Sequence, residues 1–436
     1  EVVEMAPCNV SAVVMVRRLY TFVFAILLPV VLVRQLVRSF TEKGYRQQIQ
    51  HRFGFVPKLA SDNQVIWLHA VSAGESIAAI PLVEKLLAQN FDIVMTNMTP
   101  AGRQQVNQHL GDRVLNYYAP YDLPDFVARF LSRIRPCVLL TMETELWPNT
   151  IHVCVAQSVL VMLINGRLSE KSYQGYRRWP ALTFPMLEKM SWLALQSPSH
   201  MARFSNLGVA ESRMTVTGSI KFDQRLPADF EDRKARFNCL FQGRRVLMAA
   251  STHPGEEKLM LEVYQSLKTE IPDLILVLAP RHIKRSSAIE KLVAQHQLQS
   301  VSRYRQDAVT ADTDVYLLDV MGELIYFYGL SELAFIGGSL IPRGGHNFME
   351  AALAGTAIVC GDSLYNFEAI AEAFQAAAAM AVVKTPKQLL SEIRALLSDP
   401  DRRASMQARA YQTMLKQQGA LQLVEAELKN RIKLGI

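Results

Sequence analysis

Val65-Ile66-Trp67-Leu68-His69 runs straight into Ala70-Val71-Ser72-Ala73-Gly74-Glu75-Ser76, and that junction decides the fold. Four apolar residues and the histidine that ends them read as a buried strand, and the amphipathic stretch Ser76–Ala88 reads as the helix that follows. The same alternation then repeats. Asp92–Thr96 is a strand followed by a helix at Gly102–Leu110, and Val138–Met142, Val159–Ile164, Trp192–Leu195 and Met214–Thr217 continue the series. After a charged helical stretch, Asp229–Arg236, the pattern restarts at Val246–Ala249, Leu274–Leu278, Val315–Leu318, Leu333–Ile336 and Ala357–Val359. From Pro400 the chain reads as helix. Strand–helix alternation of this kind implies parallel sheets covered by helices. The prediction is an α/β chain of two Rossmann-like, doubly wound domains facing a cleft and joined near residues 220–240.

With 436 residues, half of them apolar and a fifth charged, the chain is globular rather than disordered or collagen-like. The formal charge is +7, and the first 60 residues carry eight Lys or Arg against three Glu, so +5 of it sits there. A nucleic-acid binder would carry its basic excess on the folded body, and no nucleic-acid partner is expected. The basic residues flank an uncharged segment, Leu19–Val33, which contains Pro29. Fifteen residues of helix rise about 22 Å, short of the hydrocarbon core of a bilayer. A short uncleaved anchor or interfacial helix, kinked at Pro29, is the preferred reading over a cleaved signal peptide or a buried helix of a soluble protein. The more basic C-terminal flank (Arg34, Arg38, Lys43, Arg46, Arg52) would keep the body in the cytoplasm. Met15-Val16-Arg17-Arg18 reads as a natural start, with residues 1–14 as leader. Five scattered cysteines (Cys8, Cys137, Cys154, Cys239, Cys360), none in a CxxC, suggest ordinary packing rather than a zinc or disulfide framework.

Ligands of open α/β sheets bind at the carboxyl ends of strands, and the polar loops fall there. No Walker A, GxGxxG, GxSxG or HExxH sequence is present, and no Asp-x-Asp follows a strand; no metal site or cofactor is expected. Glu75 follows the first strand through Gly74, either complementing the helix dipole or presented as a general base. Glu143 and Glu145 follow Val138–Met142, facing one cleft edge or capping the next helix. Lys221, after Met214–Thr217, either neutralises an anion or is a solvated linker charge. The second half carries Ser251–Glu257, Ala279-Pro280-Arg281-His282, Asp319–Leu324, Ile336–Leu340 and Arg343–Glu350. In the last run Asn347 and Glu350 have capping-box spacing, and the same helix entrance suits an anion. Five such loops point to a nucleotide-type ligand.

These motifs, in this order, resemble the 3-deoxy-D-manno-octulosonic acid (Kdo) transferases of lipopolysaccharide assembly, from about Met15 to the C-terminus. The likeness rests on His69–Glu75, Met98–Gly102, Pro120–Pro124, Met142–Asn149, Gly218–Asp223, Ser251–Glu257, Pro280–His282, Met321–Leu324 and Gly337–Glu350. It implies the GT-B glycosyltransferase fold, an inverting and metal-independent reaction, and the inner membrane as location, with the catalytic body on its cytoplasmic face. The N-terminal lobe would take the lipid A precursor (lipid IVA) and the C-terminal lobe CMP-Kdo, releasing CMP. Glu75 then resembles the general base, and Glu143 and Lys221 the groups that support the transition state. Pro280, Arg281, Met321, Gly322, Glu323, Asn347, Phe348, Met349 and Glu350 resemble the CMP-binding positions. The expected domains are 1–40 (leader and anchor), 41–225 (acceptor) and 226–436 (CMP-sugar). Two departures stand out: Gln196–His200 lacks the family's acidic pair, leaving a helix start in doubt, and Ile283 replaces a proline. A nucleotide-sugar epimerase of the same architecture would need neither Leu19–Val33 nor Trp147-Pro148-Asn149. A membrane-tethered nucleotide-binding scaffold would leave Glu75 and Glu143 without purpose.

Overall fold

β1 (Val65–His69) is buried along its whole length because a parallel strand flanks it on each side. The computed structural model describes residues 10–434; Cys8 and most of the expected leader lie outside them. Around β1 stand β2 (Asp92–Asn97), β3 (Leu115–Tyr118), β4 (Val138–Met142), β5 (Leu160–Gly166), β6 (Trp192–Leu195) and β7 (Met214–Val216). Their order is β3-β2-β1-β4-β5-β6-β7, every pairing parallel. The order reverses between β1 and β4, where His69 is in register with Thr141. The loops after these two strands therefore diverge and leave a crevice.

Residues alternate between the two faces of this sheet. Trp67, Val94, Leu139 and Leu163 pack under one layer of helices, whereas Ile66, Leu68, Met95, Leu140 and Ile164 pack under the other. The helix Ala73–Leu87 starts on Ser72, whose hydroxyl accepts from the Glu75 N–H. The doubtful helix start also has its cap: Ser197 accepts from the His200 N–H at the head of Pro198–Asn206.

The second unit, Gln224–Gln417, holds β8 (Arg245–Thr252), β9 (Leu274–Pro280), β10 (Ser300–Ser302), β11 (Val315–Leu317), β12 (Leu333–Ile336), β13 (Ala357–Gly361) and β14 (Ala381–Val383). Their order is β10-β11-β9-β8-β12-β13-β14, again wholly parallel, with the reversal between β8 and β12.

Two expectations change. Residues 418–436, expected in the second domain, belong with the first unit, which otherwise ends at Asp223. The reason is the apolar stripe of Ala420–Leu434: Ala420, Leu421, Val424 and Leu428 bury against the Ile66/Leu68 face of the first sheet. Asp223 receives the N–H groups of Gly419 and Leu421 at 2.7 Å each, which caps the start of that helix.

The N-terminal helix is also longer than Leu19–Val33. It runs unbroken from Val10 to Thr41 with Pro29 inside it. Its apolar stretch Val13–Phe40 is 28 residues, long enough by length and composition to cross a membrane. Yet Thr21 and Arg17 reach Asn149, Tyr20 donates to Asp122 (2.9 Å), and Gln35 accepts from Tyr121 (2.7 Å). Arg17 and Gln35 are separated by about 27 Å of helix, so the helix lies along the unit. Leu19, Phe22, Ile26, Val30, Val33 and Val37 remain exposed on it.

Asp223→Ala should cost about 0.5–2 kcal/mol, the usual worth of a helix cap. Differential scanning calorimetry should show a lower melting temperature, and an unchanged one would deny the cap its role.

Candidate active site

At the carboxyl ends of β1 and β4 three carboxylates meet two cations. Glu75 is buried, its Oε2 accepting the Val71 N–H (2.9 Å) and its Oε1 the Ser72 hydroxyl (2.8 Å). It thus completes a cap at its helix and also closes the turn after β1. Burial raises its pKa, and the neighbouring Glu143 adds to that; Ser72, the Val71 N–H and Lys221 pull the other way.

Glu143 is the first residue after β4 and takes a left-handed backbone (φ 55°), a conformation that non-glycine residues hold only when their surroundings demand it. Its Oε1 receives Lys221 Nζ at 2.9 Å and its Oε2 receives Arg167 Nη2 at 2.7 Å. Lys221 is therefore an engaged ion-pair partner, not a solvated linker charge. It is delivered by the turn Ile220–Asp223, which Asn165 holds by accepting from the Ser219 hydroxyl and the Ile220 N–H.

Glu145 turns elsewhere. Its Oε2 accepts the Trp147 indole N–H at 2.9 Å, and it lines a pocket with Phe24, Trp67, His69, Met98 and Trp147, of empty volume ≈ 500 Å³. Burial, then the charge of Glu75, raise its pKa to about 7. Neither Glu143 nor Glu145 caps the helix Pro148–Ala156. That falls to Asp122, whose carboxylate accepts the N–H groups of Asn149 (3.1 Å) and Thr150 (2.7 Å).

In the second unit the expected CMP positions divide into three groups. Pro280 ends β9, and Arg281 is exposed with its N–H on the Thr252 carbonyl (3.0 Å). Met321 is exposed and Gly322 has φ 81°, while Glu323 is held by Arg303 (2.8 Å) and Arg233 (2.9 Å). Asn347 donates to Glu350 Oε1 (2.9 Å) and accepts the Met349 N–H (3.0 Å). The expected capping box is not formed: Glu350 binds the Asn347 side chain rather than a backbone N–H, and the helix Met349–Leu353 is a single short turn. Phe348 and Met349 are buried, Phe348 against Phe367 and Phe374, so only their backbone can face a ligand. Among the described residues no hydrogen bond or ion pair joins Glu323 to the Asn347–Glu350 pair.

Sequence reasoning missed Arg167 and the capping role of Asp122. Arg167 directly follows β5, the same position-after-strand signal that singled out Glu143.

Two wholly parallel sheets with loops gathered at a strand-order reversal define the class: the GT-B fold of glycosyltransferases and nucleotide-sugar epimerases. Solved structures agree at the level of fold. A glycosyltransferase from Rickettsia africae matches with TM-score 0.56 and 12% identity over 86% of this chain and 99% of its own. A UDP-N-acetylglucosamine 2-epimerase matches with TM-score 0.57 and 12% identity over 86% and 98%. Sequence separates these alternatives. Residues 47–224 match the family described as 3-deoxy-D-manno-octulosonic-acid transferase (kdotransferase), and residues 345–425 one described as glycosyl transferase-like. The 3-deoxy-D-manno-octulosonic acid transferase of Haemophilus influenzae is 33% identical over 93% of this chain and 96% of its own. That of Bordetella pertussis is 32% identical over 79% and 83%. The chain belongs to the Kdo transferase family and is a glycosyltransferase.

Glu75→Gln removes the charge that most raises Glu145 after burial itself. The Glu145 pKa should then fall below about 7, which ¹³C NMR of labelled glutamate would register; a stationary value would show that the two carboxylates do not interact.

Proposed function

We propose that the chain transfers Kdo from CMP-Kdo to a hydroxyl of a lipid A precursor, with inversion and release of CMP. The observation that carries this reading is Glu75, a buried carboxylate with raised pKa, presented after β1 beside the Glu143–Lys221 pair. The acceptor hydroxyl attacks the anomeric carbon of Kdo and gives its proton to Glu75. The bond from that carbon to the phosphate oxygen breaks, and its electron pair leaves with CMP. A single displacement inverts the anomeric centre. Burial makes Glu75 a stronger base than an ordinary carboxylate, and Lys221 is assigned to steady charge developing as the bond breaks. Glu143, already neutralised by Lys221 and Arg167, acts by fixing where that cation points.

The CMP moiety is assigned to Pro280–Arg281, Met321–Glu323 and Asn347–Glu350. Glu323 is satisfied by two arginines, so its loop serves through the backbone around Gly322. The lipid acceptor enters the first unit, whose pocket has Phe24 of the N-terminal helix in its wall. The exposed apolar residues of that helix lie in the inner membrane at its cytoplasmic face, where such an acceptor is presented.

Glu75→Gln should lower turnover by roughly 10²–10⁴-fold while CMP binding persists. Mass spectrometry of the lipid product and quantitation of released CMP would follow it, and near wild-type turnover would remove Glu75 from the role. In the wild type the rate should fall as pH drops through the raised Glu75 pKa. For the membrane, Phe22→Glu combined with Ile26→Glu changes only exposed positions. That variant should leave anionic liposomes in flotation assays yet transfer normally to detergent-dispersed acceptor; retention on liposomes would locate the attachment elsewhere.

A further inference from the structure

Two imidazoles of the second unit stand in direct contact. His253, in the loop after β8, and His346, beyond β12, approach Nε2 to Nε2 at 2.9 Å, with ring centroids 5.1 Å apart and planes 16° from parallel. At that distance one proton must lie between the nitrogens. Without it two lone pairs oppose each other, and with two the N–H groups collide.

The loops are built to hold this arrangement. Glu256, 1% exposed, accepts the N–H groups of His253 (3.0 Å) and Gly338 (2.8 Å) on one oxygen and that of Leu340 (3.3 Å) on the other. It thereby ties the loops after β8 and β12 together at the strand-order reversal. Gly338 has φ 69°, and a Cβ there would stand 3.0 Å from the His346 ring. A side chain at 338 would press on the pair.

The charges around the pair are unbalanced. From the loop after β9 come Arg281 and His282, the latter with its ring 5.9 Å from that of His253. From the loop beyond β12 comes Arg343. Among the described residues neither the Arg281 nor the Arg343 guanidinium has a carboxylate partner, and both are exposed. The acids nearby are committed: Glu256 to three backbone donors, and Glu257 to Arg285 (2.5 Å). Both rings are accordingly pushed toward neutrality. His346 falls to about 4 through burial, then Arg281, His253 and His282; His253 is lowered by burial, His282, Arg343 and Arg281, with Glu257 opposing.

We infer that His253 and His346, with Arg281 and Arg343, form a phosphate-binding site that takes up one proton when a phosphate monoester dianion binds. The inference deepens the donor reading above, on which it rests, by naming the group of the nucleotide that these loops hold. A dianion offsets the cations that keep the rings neutral, so the pair gains its second proton only with ligand present. The two Nε2–H groups then part and donate to phosphate oxygens. In the transfer itself, the bond from the sugar carbon to the phosphate oxygen breaks and its electron pair stays on the phosphate. The second negative charge so formed draws a proton from solvent onto the imidazole pair, whereas the acceptor's proton leaves separately to Glu75.

Isothermal titration calorimetry at pH 7.5, in two buffers of different ionisation enthalpy, tests this. CMP, cytidine and inorganic phosphate are the probes, against the wild type, His346→Gln and His253→Gln. CMP, almost wholly a dianion at this pH, should draw about one proton from buffer onto the wild type, inorganic phosphate a smaller uptake because part of it already carries that proton, and cytidine none. Either variant should lose the uptake and bind CMP about tenfold more weakly, with cytidine affinity unchanged as the control for folding. Wild-type CMP binding with no buffer dependence overturns the inference without recourse to a variant, as do variants that match the wild type. If CMP fails to bind but inorganic phosphate binds with uptake that His346→Gln abolishes, the nucleotide reading falls and the site stands. If neither phosphate ligand binds with uptake, the site falls.

Discussion

Glu75, Glu143 and Glu145 cannot all be charged in one desolvated crevice unless cations are brought to them. Two unit charges 4 Å apart interact by about 4 kcal/mol at an effective dielectric near 20, so placement of the cations decides which carboxylate has its charge offset. Lys221 and Arg167 both go to Glu143. Glu75 and Glu145 are left to respond by raised pKa values. One carboxylate is held in two ion pairs and two have raised pKa values, from three glutamates. Strand order makes this division possible. β1 and β4 are neighbours, which puts Glu75 beside Glu143, while β5 next to β4 supplies Arg167 and Asn165. Asn165, with φ 53°, then fixes the turn that carries Lys221.

Apart from the edge strand Met214–Val216, the strands legible in the sequence are those buried on both faces, where a continuous apolar run fills the space. Val65–His69, Val138–Met142, Trp192–Leu195 and Leu333–Ile336 form over those residues. The ones that escape are edge strands or strands with polar tasks. Leu115–Tyr118 includes Asn116, which serves Arg103 and Asn107, while β10 and β14 are three-residue edges. The C-terminal helix shows a different limit. An apolar stripe specifies that a face will be buried, not which sheet will bury it. Only the return to Asp223 and the Ile66/Leu68 face settles that.

For the site, position after a strand was sufficient to single out Glu75, Glu143, Lys221 and Arg281, because a parallel sheet gathers such residues at one end. What that rule cannot supply is pairing. It placed Glu143 and Glu145 on one edge with a shared purpose, yet one is bound by Lys221 and the other by Trp147. The family resemblance, not that rule, put Phe348 and Met349 among the CMP-binding positions, and their side chains fill the core behind the loop. Alternation of side chains along a short irregular segment is set by the turn, and a turn such as that at Gly345 and Asn347 has no period to read.

Asp122 shows how far the acid cluster is bound to the rest of its unit. Its two oxygens take the N–H groups of Asn149 and Thr150, the Thr150 hydroxyl and the Tyr20 hydroxyl. Burial raises its pKa, and these donors oppose that rise without cancelling it. These donors belong to two tasks. Asn149 and Thr150 begin the helix that terminates the loop bearing Glu143 and Glu145, and Tyr20 belongs to the long N-terminal helix. The apolar helix and the loop bearing Glu143 and Glu145 are thus registered on one buried carboxylate. A shift of that helix along the unit would break the Tyr20 bond and leave part of the Asp122 charge uncompensated. The helix is accordingly more than an apolar surface attached to an independent enzyme: it contributes a donor to the support of the Glu143–Glu145 loop and, through Phe24, a wall to the adjoining pocket.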